Sequence, residues 1–267
     1  MDTWRFIDSG SSNAAYNMAL DEAISASVRN GDAPPTLRLY GWESLSISLG
    51  SFQRISDIDE QYCAIQGIAV VRRPTGGRAI LHGDELTYSF CSKNDGCFSD
   101  GLLDSYRQLS NALRSAMTLL GLEVDVKMKR ESGRTLTKSP LCFNSASFGE
   151  ISFHNKKLIG SAQKRWPESF LQQGSIPYTI DYERITAVIK PSSRTHSSVL
   201  QESMVGLKEL RTSFDDEVFK QYIRMAFEKT FSVSLVAANP SAQEQEAAHQ
   251  LSLLKYANPH WTRSFPA

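Results

Sequence analysis

No run of apolar residues in this 267-residue chain approaches the roughly 20 that a membrane-spanning helix needs, which excludes helical membrane spans. The opening residues Met1-Asp2-Thr3-Trp4-Arg5 lack the basic-then-apolar layout of an export signal. The four cysteines, Cys63, Cys91, Cys97 and Cys142, form no CxxC pair and have no zinc-like spacing. Scattered cysteines without an export signal point to reduced thiols in the cytoplasm. Net charge is missing too. The 29 basic and 29 acidic side chains cancel, so no global field recruits nucleic acid or an anionic membrane, and an electrostatic partner must be met by a local patch. Internal repeats and low-complexity tracts are also absent. What remains is an ordinary globular composition, 41% hydrophobic and 22% charged, long enough for one large domain or one and a half.

Apolar periodicity supplies the elements. Tyr16, Ala19, Leu20, Ala23, Ile24 and Val28 repeat at helical spacing, with Ser12 or Asn13 placed to cap the start and Gly31 the end. After Pro34-Pro35 the pattern turns to strands over 36–40, 45–49, 68–71, 79–82 and 85–91. Leu103, Tyr106, Leu113, Met117 and Leu120 mark a second helix that Gly121 closes, and alternation over 122–128 predicts another strand. Residues 129–140 are polar and predict a loop. A hairpin over 149–163, turning at His154-Asn155-Lys156, and a strand over 170–176 follow. The Ser- and Pro-rich 190–204 segment predicts a linker. Beyond it lie a helix near 215–230, a short strand near 233–236, and a last helix. That helix opens with the capping box Ser241-x-x-Glu244 and is expected to bury Ala247, Leu251 and Leu254. Strands in the middle and helices around them favour a mixed sheet with flanking helices, an α+β or α/β layer design.

Two places carry chemistry. In Arg72-Arg73-Pro74-Thr75-Gly76-Gly77-Arg78, paired glycines after a strand let backbone N–H groups approach an anionic or carbonyl group closely. The Gly-Lys-Ser/Thr ending of a P-loop is absent. A glycine hairpin with solvated arginines satisfies the same spacing, and a lone histidine such as His82 is more often structural than catalytic. The second place joins Cys142, Lys157 and the small-residue turn Gly160-Ser161-Ala162. A fixed ammonium lowers a thiol's pKa from its usual value near 8.5, which yields a thiolate nucleophile. Cys142 and Lys157 stand fifteen residues apart, so a bend must join them. From spacing alone, a buried inert cysteine and an exposed turn lysine account for the same residues.

The residues from Arg72 to His82, followed by Glu85-Leu86-Thr87-Tyr88, resemble the substrate-binding loop of the biotin/lipoate protein ligase and octanoyltransferase superfamily. Lys157-Leu158-Ile159-Gly160-Ser161-Ala162 is similar to that family's lysine motif. Asn17-Met18-Ala19-Leu20-Asp21-Glu22 is a third match, and Lys255-Tyr256 with Trp261 a weaker fourth. Together they span residues 4–261. Cys142-Phe143-Asn144-Ser145-Ala146-Ser147, upstream of the lysine, resembles the octanoyltransferases typical of Gram-positive bacteria, rather than the type with its cysteine downstream. Where the family usually has Gln-His-Gly-Ser/Thr, this chain reads Gln172-Gln173-Gly174-Ser175, and a glutamine cannot titrate. Gly83, after His82, also replaces a commonly polar residue.

The resemblance implies mixed β-sheets flanked by helices, with a ligase-like catalytic domain over residues 1–200 and a small helical extension over 201–267. It also implies transfer of an octanoyl group from acyl carrier protein to a lysine of a lipoyl domain or of the glycine-cleavage H protein. Cys142 and Lys157 would be catalytic, and Arg72, Arg73, Thr75, Gly76, Gly77, His82, Gly160, Ser161, Ala162 and Gly174 would bind substrate. No metal, ATP or other cofactor is expected, and nothing requires more than a monomer. Arg72, Arg73, Arg78, Lys156, Lys157, Lys164 and Arg165 are expected to form a basic patch that steers acidic protein substrates. The alternatives are an ATP-dependent lipoate ligase, an amidotransferase acting between carrier proteins, and a non-catalytic lipoyl or acyl-carrier adaptor.

Overall fold

The computed structural model describes residues 2–127, 149–191 and 196–264. Cys142 and the loop expected over 129–140 lie outside the described residues. In chain order the elements begin with β1 (Asp2–Ser12), α1 (Ala14–Asn30), β2 (Thr36–Trp42), β3 (Ser46–Leu49), α2 (Glu60–Ile65), β4 (Ala69–Arg72), β5 (Ile80–His82), β6 (Glu85–Lys93), α3 (Leu102–Leu119) and β7 (Asp125–Val126). They continue with β8 (Ile151–Phe153), β9 (Lys156–Arg165), β10 (Ser169–Pro177), α4 (Tyr182–Ala187), α5 (Ser197–Ser203), α6 (Leu207–Leu210), α7 (Asp216–Phe231), β11 (Val233–Ala237), α8 (Ala242–Leu251) and α9 (Pro259–Arg263). Among the described residues no helix is long and apolar enough to cross a membrane.

An eight-stranded mixed sheet in the order β11-β1-β2-β6-β10-β9-β8-β7 is the frame, and a three-stranded sheet, β4-β3-β5, lies beside it. β1 pairs parallel with β2 and β11, whereas β2, β6, β10 and β9 pair antiparallel in turn. All nine residues of β10 are buried, as are the first eight of β6, because helices cover both faces at the centre of the sheet. On one face α3 and α7 enclose Leu37, Leu39, Tyr88, Phe90, Leu113 and Phe227. On the other, α1 and α8 pack over Ile7, Tyr40, Cys91 and Leu171. The small sheet has its own core around Ile47, Leu49, Ile58, Ile189, Leu200 and Met204.

Local chemistry explains the best-defined boundaries. Asn13 accepts the Tyr16 N–H at 3.0 Å and caps α1. Gly31 ends it at φ 89°, a left-handed conformation that glycine adopts without strain. Ser241 and Glu244 form the reciprocal capping box at the start of α8. Three expectations need correction. Among the described residues the strand expected over 122–128 is reduced to Asp125–Val126, and Leu122 and Val124 pack into the core beside α3. The 190–204 segment holds α5, whose Leu200 is buried. Leu254 is 76% exposed, and Ala248 and Tyr256 fill the position it was expected to take.

Residues beyond 200 pack on the rest of the chain in two ways. β11 extends the main sheet alongside β1. Glu244 of α8 receives a bidentate pair from Arg5 of β1 at 2.8 and 2.6 Å. Burial opposes the charge on Glu244, but Arg5 and the Ser241 N–H outweigh it and hold the carboxyl below the usual carboxylate range. A depressed carboxyl contributes stability above its unfolded value, roughly 4.3, and loses it as pH falls through the lower folded value. Glu244→Gln should therefore lower the thermal midpoint at neutral pH, and its deficit against the native chain should close in acid. A deficit that did not change with pH would contradict this.

Candidate active site

β6, β10 and β9 set Tyr88, Gly174 and Ser161 in one row across the sheet. Residues directly opposite each other project to the same face, so the Tyr88 ring lies over Gly174 and reaches Ser161. A Cβ on Gly174 would fall 2.1 Å from Tyr88 Cε1, so only glycine leaves room for the ring. The Tyr88 hydroxyl meets Ser161 Oγ at 2.7 Å and accepts from Gln172 Nε2 at 2.8 Å. Gly160, Ser161 and Ala162 belong to β9, the second strand of the expected hairpin, and do not form a turn of their own.

Where the α1-facing side of the main sheet meets the small sheet, a narrow cavity opens. Gly160, Ser161, Ala162 and Gly174 line it on the main sheet, and Arg73 and His82 line it from the small one. Met18, Tyr40, Trp42 and Ile80 supply apolar wall. Arg72, Thr75, Gly76, Gly77 and Lys157 are not part of the lining.

The two arginines of the loop are braces. Arg72 is buried, and its guanidinium donates to the carbonyls of Gly50, Gln53 and Thr262 at 2.8, 2.7 and 2.8 Å. Trp261 Nε1 donates to the Arg72 carbonyl at 3.0 Å, so the C-terminal segment locks this turn. Arg73 donates to the carbonyls of Ser48, Gly76 and Arg78. Gly50 and Gly77 let the backbone close up: a Cβ on Gly50 would sit 1.8 Å from the Gly77 carbonyl oxygen, and Gly77 has φ 87°. The expected basic patch is therefore smaller than the sequence implied. Arg72, Arg73 and Lys157 are buried against their own chain. Lys164 remains exposed; it and Arg29 lie 4.8 and 4.9 Å from the Trp166 ring centroid.

Thr75 is tied to the core through Gln173. Its hydroxyl donates to Gln173 Oε1 at 2.8 Å, and Gln173 Nε2 donates to Asp21 Oδ2 at 2.7 Å, which fixes the amide's orientation. Asp21, on the buried face of α1, also accepts from Arg38 at 2.7 Å, Tyr40 at 2.8 Å and Ser89 at 2.6 Å. Burial and the adjacent Asp21 push the Tyr40 phenol well above its ordinary value, so it stays a donor.

His82 is held on three sides. Its Nδ1 lies 2.8 Å from Glu85 Oε1 and its Nε2 2.7 Å from Ser48 Oγ. The Trp42 indole stacks on the ring at 3.9 Å and 12°, and its Nε1 donates to Thr87 Oγ1.

Lys157 is 5% exposed and ion-paired with Glu150, so the alternative of an exposed turn lysine does not hold. Sheet geometry explains why. His154 and Asn155 turn at φ 47° and 65°, and between the pairs Ser152–Lys157 and Ile151–Ile159 β9 carries one extra residue. Such a bulge re-aims the side chain. Lys157 now lies beside Gly160, where a Cβ would meet its Cε at 2.9 Å and its Nζ at 3.3 Å. The ammonium thus abuts the backbone that lines the cavity. Met204 bridges Lys157, and the Val205 N–H donates to its carbonyl at 3.0 Å, so the segment expected to be a linker covers this strand.

The three described cysteines are free and disfavoured as nucleophiles. Burial raises the Cys63 thiol to about 11 and pushes Cys91 and Cys97 up as well. Asp21, Ser48, Glu85 and Glu150 had no role assigned from the sequence. Asp21 and Glu85 lay within recognised motifs, and Asn17 and Asp21 shared the apolar face of α1, a signal for buried polar work.

Residues 13–228 match the lipoyl protein ligase A/B catalytic domain. The chain belongs to this family. It is 36% identical over 271 residues to octanoyltransferase LipM of Kyrpidia tusciae, covering 98% of each chain. Against octanoyltransferase LipM of Moorella thermoacetica the identity is 37% over 269 residues, again covering 98% of each. The fold is that of a crystal structure of lipoate-protein ligase A bound with ATP, at TM-score 0.82 and 22% identity over the whole of both chains.

Proposed function

We propose that this protein transfers an octanoyl group from acyl carrier protein to a lysine of a lipoyl domain or of the glycine-cleavage H protein. It does so through a thioester on Cys142, working in the cytoplasm as a monomer without metal or ATP. The observation that carries this reading is the buried Lys157 ammonium, held by Glu150 against Gly160 at the edge of an apolar-walled cavity. An acyl chain laid between Met18, Trp42 and Ile80 buries its methylenes at about 0.8 kcal/mol each. Its carbonyl would then lie near the ammonium, which stabilises the oxyanion and favours a thiolate.

The full-length likeness to octanoyltransferases supports the same reaction. The Cys142 thiolate attacks the thioester carbonyl and displaces the carrier's thiol; the acceptor lysine then displaces Cys142. Thr75, Gly76 and Gly77 act as the braced wall of the site rather than as direct contacts. Lys164 and Arg29 beside Trp166 give an acidic protein substrate a local footing despite zero net charge.

The test is Cys142→Ser assayed with octanoyl-acyl carrier protein and a lipoyl domain. Transfer should fall to background. A variant that still modified the lipoyl domain when given ATP and free octanoate would instead be an adenylating ligase.

A further inference from the structure

We infer that His82, reached through the Ser48 hydroxyl, takes the proton released when the acceptor amine attacks the acyl-enzyme. This rests on the acyl-enzyme reading above. The hydrogen bonds around His82 have a direction. Glu85 accepts on both of its oxygens, so Nδ1 of His82 carries a hydrogen towards Oε1 at 2.8 Å. In the neutral ring Nε2 is then the acceptor, and Ser48 Oγ, which accepts from Arg73 Nη1 at 3.0 Å, donates to it at 2.7 Å. Glu85 also accepts from Thr87, and from Ser175 at 2.9 Å, so its carboxylate is fixed where a positive imidazole would need it.

Ser48 and His82 both line the cavity that Gly160, Ser161 and Ala162 floor. The other ionisable groups around it are poorly suited. Arg73 does not deprotonate. Tyr40 is held protonated by burial and Asp21, and Lys157 is paired with Glu150. The charged groups that face His82 are Glu85 and Arg73. Asp84, Asp181 and Arg184 share the cleft on its far side, where Asp181 pairs with Arg184 and Asp84 with Lys208.

In the step, the amine nitrogen bonds to the thioester carbon and the carbon–sulfur bond breaks, its electron pair leaving on Cys142 as thiolate. One proton passes from nitrogen to Ser48 Oγ while the Ser48 proton moves to His82 Nε2. The hydroxyl is restored and an imidazolium remains against Glu85; it returns its proton to the thiolate or to water.

The test separates the half-reactions. Native enzyme, His82→Gln and Ser48→Ala are loaded from octanoyl-acyl carrier protein, and loading and transfer to a lipoyl domain are each timed by mass spectrometry. His82→Gln should accumulate acyl-enzyme and transfer it roughly 100-fold more slowly. Ser48→Ala should share the loss. Should His82→Gln fail to fold, Glu85→Gln carries the test with a loss of about 10-fold or more. A native transfer rate in any of these variants overturns the proposal, and so does a defect confined to the loading step. A native enzyme that never loads Cys142 sinks the acyl-enzyme reading and this one with it; a loaded, fully active variant sinks this one alone.

Discussion

Lys157→Met is expected to reduce octanoyl transfer by about 100- to 1,000-fold, the usual effect of removing one preorganised donor to a developing oxyanion. The same change should cost about 3–5 kcal/mol of stability, because it strips a buried carboxylate, Glu150, of its cation. Stability and chemistry separate in the double variant Lys157→Met/Glu150→Gln. Replacing both members of a buried pair is far less costly than breaking it, so most of the thermal midpoint should return. Transfer should not return, since the ammonium beside Gly160 is still missing. Recovery of activity along with stability would mean that Lys157 is only a structural partner of Glu150.

Asp21→Ala should be the most damaging substitution outside the reacting groups. It leaves the Arg38 guanidinium, which has no exposed side-chain surface, without its carboxylate. It also removes the acceptor for Tyr40, Ser89 and Gln173. A loss of about 3–5 kcal/mol is expected, a fall in thermal midpoint on the order of 10 °C for a chain of this size. Function should suffer at moderate temperature too. Gln173 would be released from α1, and Thr75, which holds onto Gln173, would lose its anchor. The measurements are a thermal melt and transfer kinetics well below the midpoint; a variant that melts like the native chain would refute the hub role.

The sequence made the frame legible where local chemistry repeats. The apolar stripe of α1, its Asn13 and Gly31 caps and the Ser241–Glu244 box all reappear in the structure. β1 escaped because Asp2–Ser12 is polar and glycine-containing, and takes its strand identity from its neighbours β2 and β11. The helices α2, α4, α6 and α9 are four to six residues long, too short for a period to show. Within the site, motif recognition located Lys157 and the Arg72–His82 loop but not the direction in which their charges point. Arg72 and Arg73 read as surface cations and are turned inward onto carbonyls. For Lys157, spacing left an exposed turn lysine open as the alternative; an extra residue in β9 re-aims the side chain inward, which pairing register alone reveals. Likewise the Ser48–His82–Glu85 chain is assembled from β3, β5 and β6, and nothing in linear spacing places Ser48 beside His82.

The central claim is a covalent acyl-enzyme on Cys142, and intact-protein mass spectrometry after brief mixing with octanoyl-acyl carrier protein tests it most directly. The account predicts one octanoyl adduct, mapped to Cys142, that disappears when a lipoyl domain is added. An unmodified protein, or an adduct on Cys63, Cys91 or Cys97 in place of Cys142, would contradict it.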